Sequence, residues 1–171
     1  MPNTIWPMRV VSNTSPVSNL AIVGHLDLLR RKYGRVVIPE AVRRELARLG
    51  HPEGLTRIET ALDEGWLAVE AVPDRRLLPL LRYRIDEGES EAIELARQTD
   101  ASLLLIDDLE GRRVAAEESL PYTGLLGVLA EEKLAGNLPS LKAEIDRLRS
   151  ECRFFVSPKV EREILLGVGE A

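Results

Sequence analysis

The sequence predicts an α/β protein built on a parallel sheet covered on both faces. Two observations carry that prediction. Segments with helical and strand periodicity alternate along the chain, and the strand candidates are short, continuous apolar runs rather than alternating ones. The runs are RVVS (9–12), RVVI (35–38), SLLLI (102–106) and a short PYT (121–123), with RFFVS (153–157) as a further candidate near the end. Each leads into a helix. At 171 residues, 44% hydrophobic and 30% charged, the chain suits one soluble globular domain spanning 1–171.

The first strand runs out through Ser12, Asn13, Thr14 and Ser15 into a helix, so a small polar turn with Asn13 at its tip ends the strand. Such junctions open into the crevice outside the sheet where ligands collect. After the second strand, Pro39 suits the first turn of a helix, EAVRRELARL, whose Val42, Leu46 and Leu49 share one face. HPEGLTRIETALDEGW (51–66) reads as another helix, and WLAVEAV (66–72) as an edge strand or an extended connection. GESEAIELARQ (88–98) reads as a helix with Gly88 at its N-cap and Glu89 and Glu91 in the first turn, where carboxylates complement the helix dipole. The last third, TGLLGVLAEEKLAG, PSLKAEIDRLRSE and SPKVEREILLG, is helical with Gly or Pro at the breaks, and reads as packing. No repeat, low-complexity tract or linker marks a domain boundary.

Several function classes are disfavoured. No apolar run approaches the roughly 18 residues of a membrane span, and residues 1–11 lack the apolar core of a signal peptide, so the expected location is cytoplasmic. A single cysteine, Cys152, rules out an internal disulfide framework and leaves zinc no cysteine pair; it reads as a half-buried apolar filler. The net charge of −5 argues against long-range steering toward nucleic acid. Its distribution says more. Arginines pair at 30–31, 43–44, 75–76 and 112–113, while carboxylates gather at Asp86, Glu87, Glu89, Glu91 and Glu94, so an acidic pocket rimmed by arginine is one outcome. His25 and His51 read as surface or helix-end residues. Trp6, Trp66, Phe154 and Phe155 read as core or interface residues rather than base-stacking platforms.

Four positions stand where an α/β sheet brings them together. Asn13 is at one strand tip, Asp107 and Asp108 at another, Glu91 on the helix feeding that strand, and Glu45 on the helix after the second strand. Oxygen ligands without His or Cys suit a hard cation, Mg²⁺ or Mn²⁺, and such a site serves phosphoryl chemistry. Each residue also has a plain structural reading. Asp108 caps the next helix, Glu45 belongs to a solvated face, and Glu91 complements a helix dipole. Arg112 and Arg113 open the helix after Asp108, where they either meet a substrate phosphate or solvate the helix.

The joint pattern resembles the PIN-domain family and, within it, the VapC-like branch long labelled only as of unknown function. VVSNTSPVSNLA, GHLDLLRRKYG, VVIPEAVRREL, DEGESEAIELA, LLLIDDLEGRRVA and YTGLLGVL carry the resemblance, in that order and over nearly the whole chain. It implies a three-layer α/β/α sandwich around a central parallel sheet, with extra C-terminal helices. It also implies a ribonuclease holding Mg²⁺ or Mn²⁺ in an acidic pocket and hydrolysing RNA phosphodiesters. The family's four acids then fall at Asn13, Glu45, Glu91 and Asp108, with Asp107 as an adjacent ligand and Thr14 as the small hydroxyl near the metal water. Glu45, Glu91 and Asp108 would carry the water activation. The resemblance further implies the toxin of a toxin–antitoxin pair, held by a small antitoxin, and a homodimer.

The departure is Asn13. An amide oxygen can coordinate a hard cation but brings no charge, so the expected site is weaker than one of four carboxylates. The rival reading is a non-catalytic PIN module that binds RNA or a protein partner. A receiver-like signalling domain, which IDD at a strand tip superficially fits, lacks the acid pair at the first strand and the lysine at a late strand tip.

Overall fold

A computed structural model describes residues 8–170. Trp6 lies outside them. Five short strands, β1 (Val10–Ser12), β2 (Val36–Pro39), β3 (Leu67–Glu70), β4 (Leu103–Leu105) and β5 (Tyr122–Thr123), form one all-parallel sheet in the order β3-β2-β1-β4-β5. The central strands β1, β2 and β4 are almost wholly apolar because both faces are covered, whereas the edge strands β3 and β5 are partly exposed. Val10, Val36, Ile38 and Leu105 enter one core, while Val11, Val37, Leu104 and Ile106 enter the other.

The first core is closed by α1 (Thr14–Ile22), α2 (Asp27–Tyr33), α4 (Pro52–Asp63), α8 (Leu125–Leu134), α9 (Leu141–Cys152) and α10 (Pro158–Gly167). The second is closed chiefly by α6 (Glu87–Gln98) and α7 (Leu109–Glu117), with the short α5 (Leu78–Leu81) leading in. Between them α3 (Glu40–Leu46) follows β2, burying Val42 and Leu46 in the first core. The result is a three-layer α/β/α sandwich with additional C-terminal helices, as expected. Among the described residues no helix is long and apolar enough to cross a membrane.

The chain order places a functional site. From β1 the sheet grows toward β2 and β3, and the chain then crosses back so that β4 pairs with the other side of β1. Adjacent strands whose connections depart in opposite directions leave a crevice at their carboxyl ends. The tips there are Asn13 after β1 and Asp107 and Asp108 after β4.

Two local expectations change and one alternative is settled. The α6 N-cap is Asp86 rather than Gly88: its side chain accepts from the Glu89 backbone N–H while Glu89 reaches back to the Asp86 N–H, a capping box. Helix α6 therefore starts at Glu87, and Glu91 falls in its second turn. Residues 153–157 are not a strand. Arg153 takes a left-handed φ of 54° that ends α9, and Ser157 caps α10, so Phe154 packs on the core while Phe155 stays 84% exposed. WLAVEAV does supply an edge strand, β3, with Trp66 buried before it.

Candidate active site

At the crevice a cleft of about 410 Å³ is lined by Asn13, Thr14, Ser15, Ser18, Glu45, Asp86, Glu89, Asp107 and Asp108. Five of these nine residues are carboxylates and none is basic. Each arrives by a different local device.

Asn13 is the N-cap of α1, yet its side chain makes no capping bond. A capping amide ordinarily contributes about 0.5–2 kcal/mol, and here that contribution is forgone. The residue is held instead through its backbone, whose N–H donates to the Leu105 carbonyl at 2.9 Å. Its Oδ1 is buried with no hydrogen-bond partner. The neighbouring tip repeats the pattern. Asp107 is nearly buried; its Oδ1 accepts the Leu125 N–H at 2.8 Å and lies 3.7 Å from Arg112 Nη2, while its Oδ2 is buried and unpartnered. Burial pushes its carboxyl above the usual range, against the Leu125 N–H, Arg112 and the Ser15 hydroxyl, which pull it down.

Glu45 comes from α3, and its Oε2 accepts a hydrogen bond from the Thr14 hydroxyl. Glu89, buried in the first turn of α6, is pushed up to about 7, first by burial and then by the carboxylates of Asp86, Asp108 and Glu45. Asp108 caps α7, its Oδ1 accepting the N–H groups of Glu110 at 2.8 Å and Gly111 at 3.1 Å. Its capping reading and its place in the cleft therefore both hold.

This arrangement gathers five carboxylates and two orphaned oxygens at a sheet's switch point. A model of the family described as a PIN domain matches residues 9–170. The chain belongs to the PIN-domain family. No curated protein and no solved structure matches it significantly. PIN domains are generally nucleases that use divalent metal ions, so the family points to nuclease-type chemistry on nucleic acid.

For this PIN domain, the expected site residues Asn13, Glu45, Asp107, Asp108 and Thr14 meet in the cleft. Glu91 does not. Its carboxylate is wholly buried on the far side of the α6 turn, accepting the Ala41 N–H at 2.9 Å and pairing with Arg75 at 2.6 Å, a fastener between α3 and α6. Glu89, two residues earlier, occupies the cleft instead. Its position as the N3 residue of a capping box starting at Asp86 is the sequence signal that could have located it. The arginines are also committed. Arg112 Nε donates to the Ile106 carbonyl at 2.9 Å and its guanidinium borders Asp107, whereas Arg113 is exposed and pairs with Glu110. Arg112 thus steadies the Asp107 tip rather than standing free for substrate.

The donor set is all oxygen and suits a hard cation. Among the described residues, no three carboxylates, histidines or cysteines are gathered closely enough to enclose an ion.

Proposed function

We propose that this PIN domain is a divalent-cation-dependent endoribonuclease that hydrolyses RNA phosphodiester bonds, as expected of the VapC-like branch. The observation that carries the reading is the pair of buried, unpartnered oxygens, Asn13 Oδ1 and Asp107 Oδ2, on adjacent strand tips in a cleft lined by five carboxylates. Buried polar atoms are nearly always satisfied, and of the four unpartnered ones among the described residues two are oxygens in this acidic cleft, which supports a bound ligand there. Mg²⁺ or Mn²⁺ would be held by Asn13, Asp107 and Glu89, with Glu45 and Asp108 on the rim. Bound there, it supplies a Lewis acid for the phosphodiester and a water of lowered pKa.

The chain's own groups set the stage for that chemistry. Thr14 fixes one oxygen of Glu45, the Leu125 N–H and Arg112 orient Asp107, and the α6 capping box orients Glu89. Five carboxylates repel a phosphodiester until positive charge is present, so substrate approach is coupled to cation binding. The same acidic cleft would accept a basic side chain from a small antitoxin, which is how a toxin–antitoxin role would regulate the site.

A specific observation favours a second reading, the non-catalytic module: the first acid position is an amide, and the carboxylates are not closed around a common point. One experiment separates them. Melting temperature is followed during Mn²⁺ titration, alongside cleavage of a labelled single-stranded RNA in Mn²⁺ and in EDTA. A nuclease shows a melting temperature that climbs with Mn²⁺, by about 2.7 kcal/mol of stability at a hundredfold excess over Kd, and cleavage that EDTA abolishes. Neither response at millimolar Mn²⁺ would leave the non-catalytic module.

A further inference from the structure

Beside the acidic cleft lies a second surface where arginines and carboxylates pair. Glu87, next to Asp86 of the cleft, is shared by two guanidinium groups. Arg44 Nη2 approaches its Oε1 at 3.1 Å and Arg82 Nη2 at 2.8 Å, so two positive charges meet one carboxylate. Arg44 in turn precedes Glu45 of the cleft. Between Arg82 and Arg84 stands Tyr83, 89% exposed. Its neighbours Leu78 and Ile85 are buried and fasten the segment, but the Tyr83 ring adds nothing to that core.

The geometry points to this rim as a single-strand binding site, with Tyr83 stacking an unpaired base and Arg44 and Arg82 exchanging Glu87 for a backbone phosphate. The inference rests on the nuclease reading for its choice of RNA, and deepens it by naming the residues that receive the strand. Single-strand sites combine cationic grooves with aromatic faces, because every base offers a π-face. The ion pairs to Glu87 are half exposed and contribute little to the fold, so a phosphate can take the arginines at small cost. Leu77 and Leu80 are exposed nearby, at 46% and 64%, which would also serve a second copy of the chain. Charge decides against that occupant. Burying Tyr83 in a protein interface would desolvate the arginines on both sides of it, and interface cores are depleted in charge. A polyanion pairs instead with Arg44 and Arg82, which share a single carboxylate, while Arg84 stays with Glu110 and Glu117.

The test uses the full chain in EDTA, so that nothing is cleaved, with a fluorescent 12-nucleotide single-stranded RNA followed by anisotropy. Tyr83→Ala weakens binding at least about fivefold and Tyr83→Phe restores it, since the ring and not the hydroxyl stacks. Arg44→Ala with Arg82→Ala flattens the dependence of log affinity on log salt by about 0.7 for each phosphate that is no longer neutralised. A 12-base-pair duplex of the same sequence, whose bases are already stacked, is insensitive to Tyr83→Ala. Circular dichroism melts confirm that these exposed substitutions leave the fold intact. Wild-type affinity in Tyr83→Ala, no RNA binding by the wild type, or a dimer that Tyr83→Ala dissolves would each overturn the inference. Cleavage of the same RNA in Mn²⁺ is scored separately: its absence counts against the nuclease reading alone, and undiminished binding by Tyr83→Ala against the rim alone.

Discussion

The Glu45 carboxylate occupies the space that a Cβ on Gly88 would enter, its Oε1 2.6 Å and its Oε2 2.9 Å from that position. A side chain from α3 therefore sits against the first turn of α6 only because residue 88 has none. Gly88→Ala forces the Glu45 carboxylate aside. The displaced group is the end of a flexible chain, and Ala is the better helix former by roughly 0.5–1 kcal/mol, so the melting temperature holds or rises. Mn²⁺ affinity and RNA cleavage fall by about 10–100-fold, the usual effect of disturbing the groups that orient a metal site. Unchanged cleavage by Gly88→Ala would remove Glu45 from the site.

Glu89 and Glu91 sit one helical half-turn apart and should fail in opposite ways. Glu89→Gln removes a carboxylate that burial and then its acidic neighbours disfavour, so cleavage is lost while the metal-free protein becomes more stable at pH 8. Glu91→Ala leaves the buried Ala41 N–H without its acceptor and costs about 1–3 kcal/mol, with cleavage per folded molecule retained. Urea titrations and single-turnover cleavage on both variants check this. Loss of cleavage in folded Glu91→Ala would return Glu91 to the chemistry.

That exchange shows where the sequence is legible and where it is not. The sheet can be read because both faces of its central strands are buried, which leaves apolar runs at 10–11, 36–39 and 103–106. Strand tips follow from strand ends, so Asn13, Asp107 and Asp108 stand out. Helical side chains are harder: GESEAIELA offers three glutamates, and only the start of the helix decides which one faces the cleft. With Gly88 as N-cap, Glu91 fits the first turn; with Asp86 as N-cap, Glu89 does. RFFVS misleads differently, since Arg153 adopts a left-handed conformation that no local pattern announces. Tyr83 gives no signal at all, because an isolated aromatic between arginines has no periodicity to mark it.

Glu89 also sets a pH dependence. An unfolded glutamate titrates near 4.5, whereas burial and then Asp86, Asp108 and Glu45 raise the folded group to about 7. Between those values the folded state binds the extra proton, so the contribution of Glu89 to stability falls as pH rises from about 4.5 to 7 and is level above. The buried Asp107, also raised, acts in the same direction. Glu170, held at about 2 chiefly by the Lys142 and Leu141 backbone N–H groups, exerts its opposite effect below that window. Melting temperatures in EDTA at pH 5 and pH 8 should therefore differ less for Glu89→Gln than for wild type. Mn²⁺, which favours the ionised carboxylate, should shrink the wild-type difference as well. An identical pH response in wild type and Glu89→Gln would show that neither burial nor the neighbouring carboxylates raise Glu89.

Asn13→Asp tests the site at its weakest point. Amide and carboxylate are nearly isosteric, and the Asn13 side chain caps nothing, so the exchange alters charge without removing a structural bond. In the metal-free protein the new carboxylate enters a cleft where Asp107 is already pushed up by burial and Glu89 by burial and its neighbours, and the melting temperature falls. With Mn²⁺ the sign reverses. The charged ligand faces a dication, and an affinity gain of at least about tenfold, or 1.4 kcal/mol, is expected. The two effects compound, so the Mn²⁺-induced rise in melting temperature is larger in the variant from both ends. Titrating wild type and variant side by side reads both. A variant with wild-type stability and wild-type Mn²⁺ affinity would make Asn13 a turn residue only, and the two orphaned oxygens would no longer mark a cation.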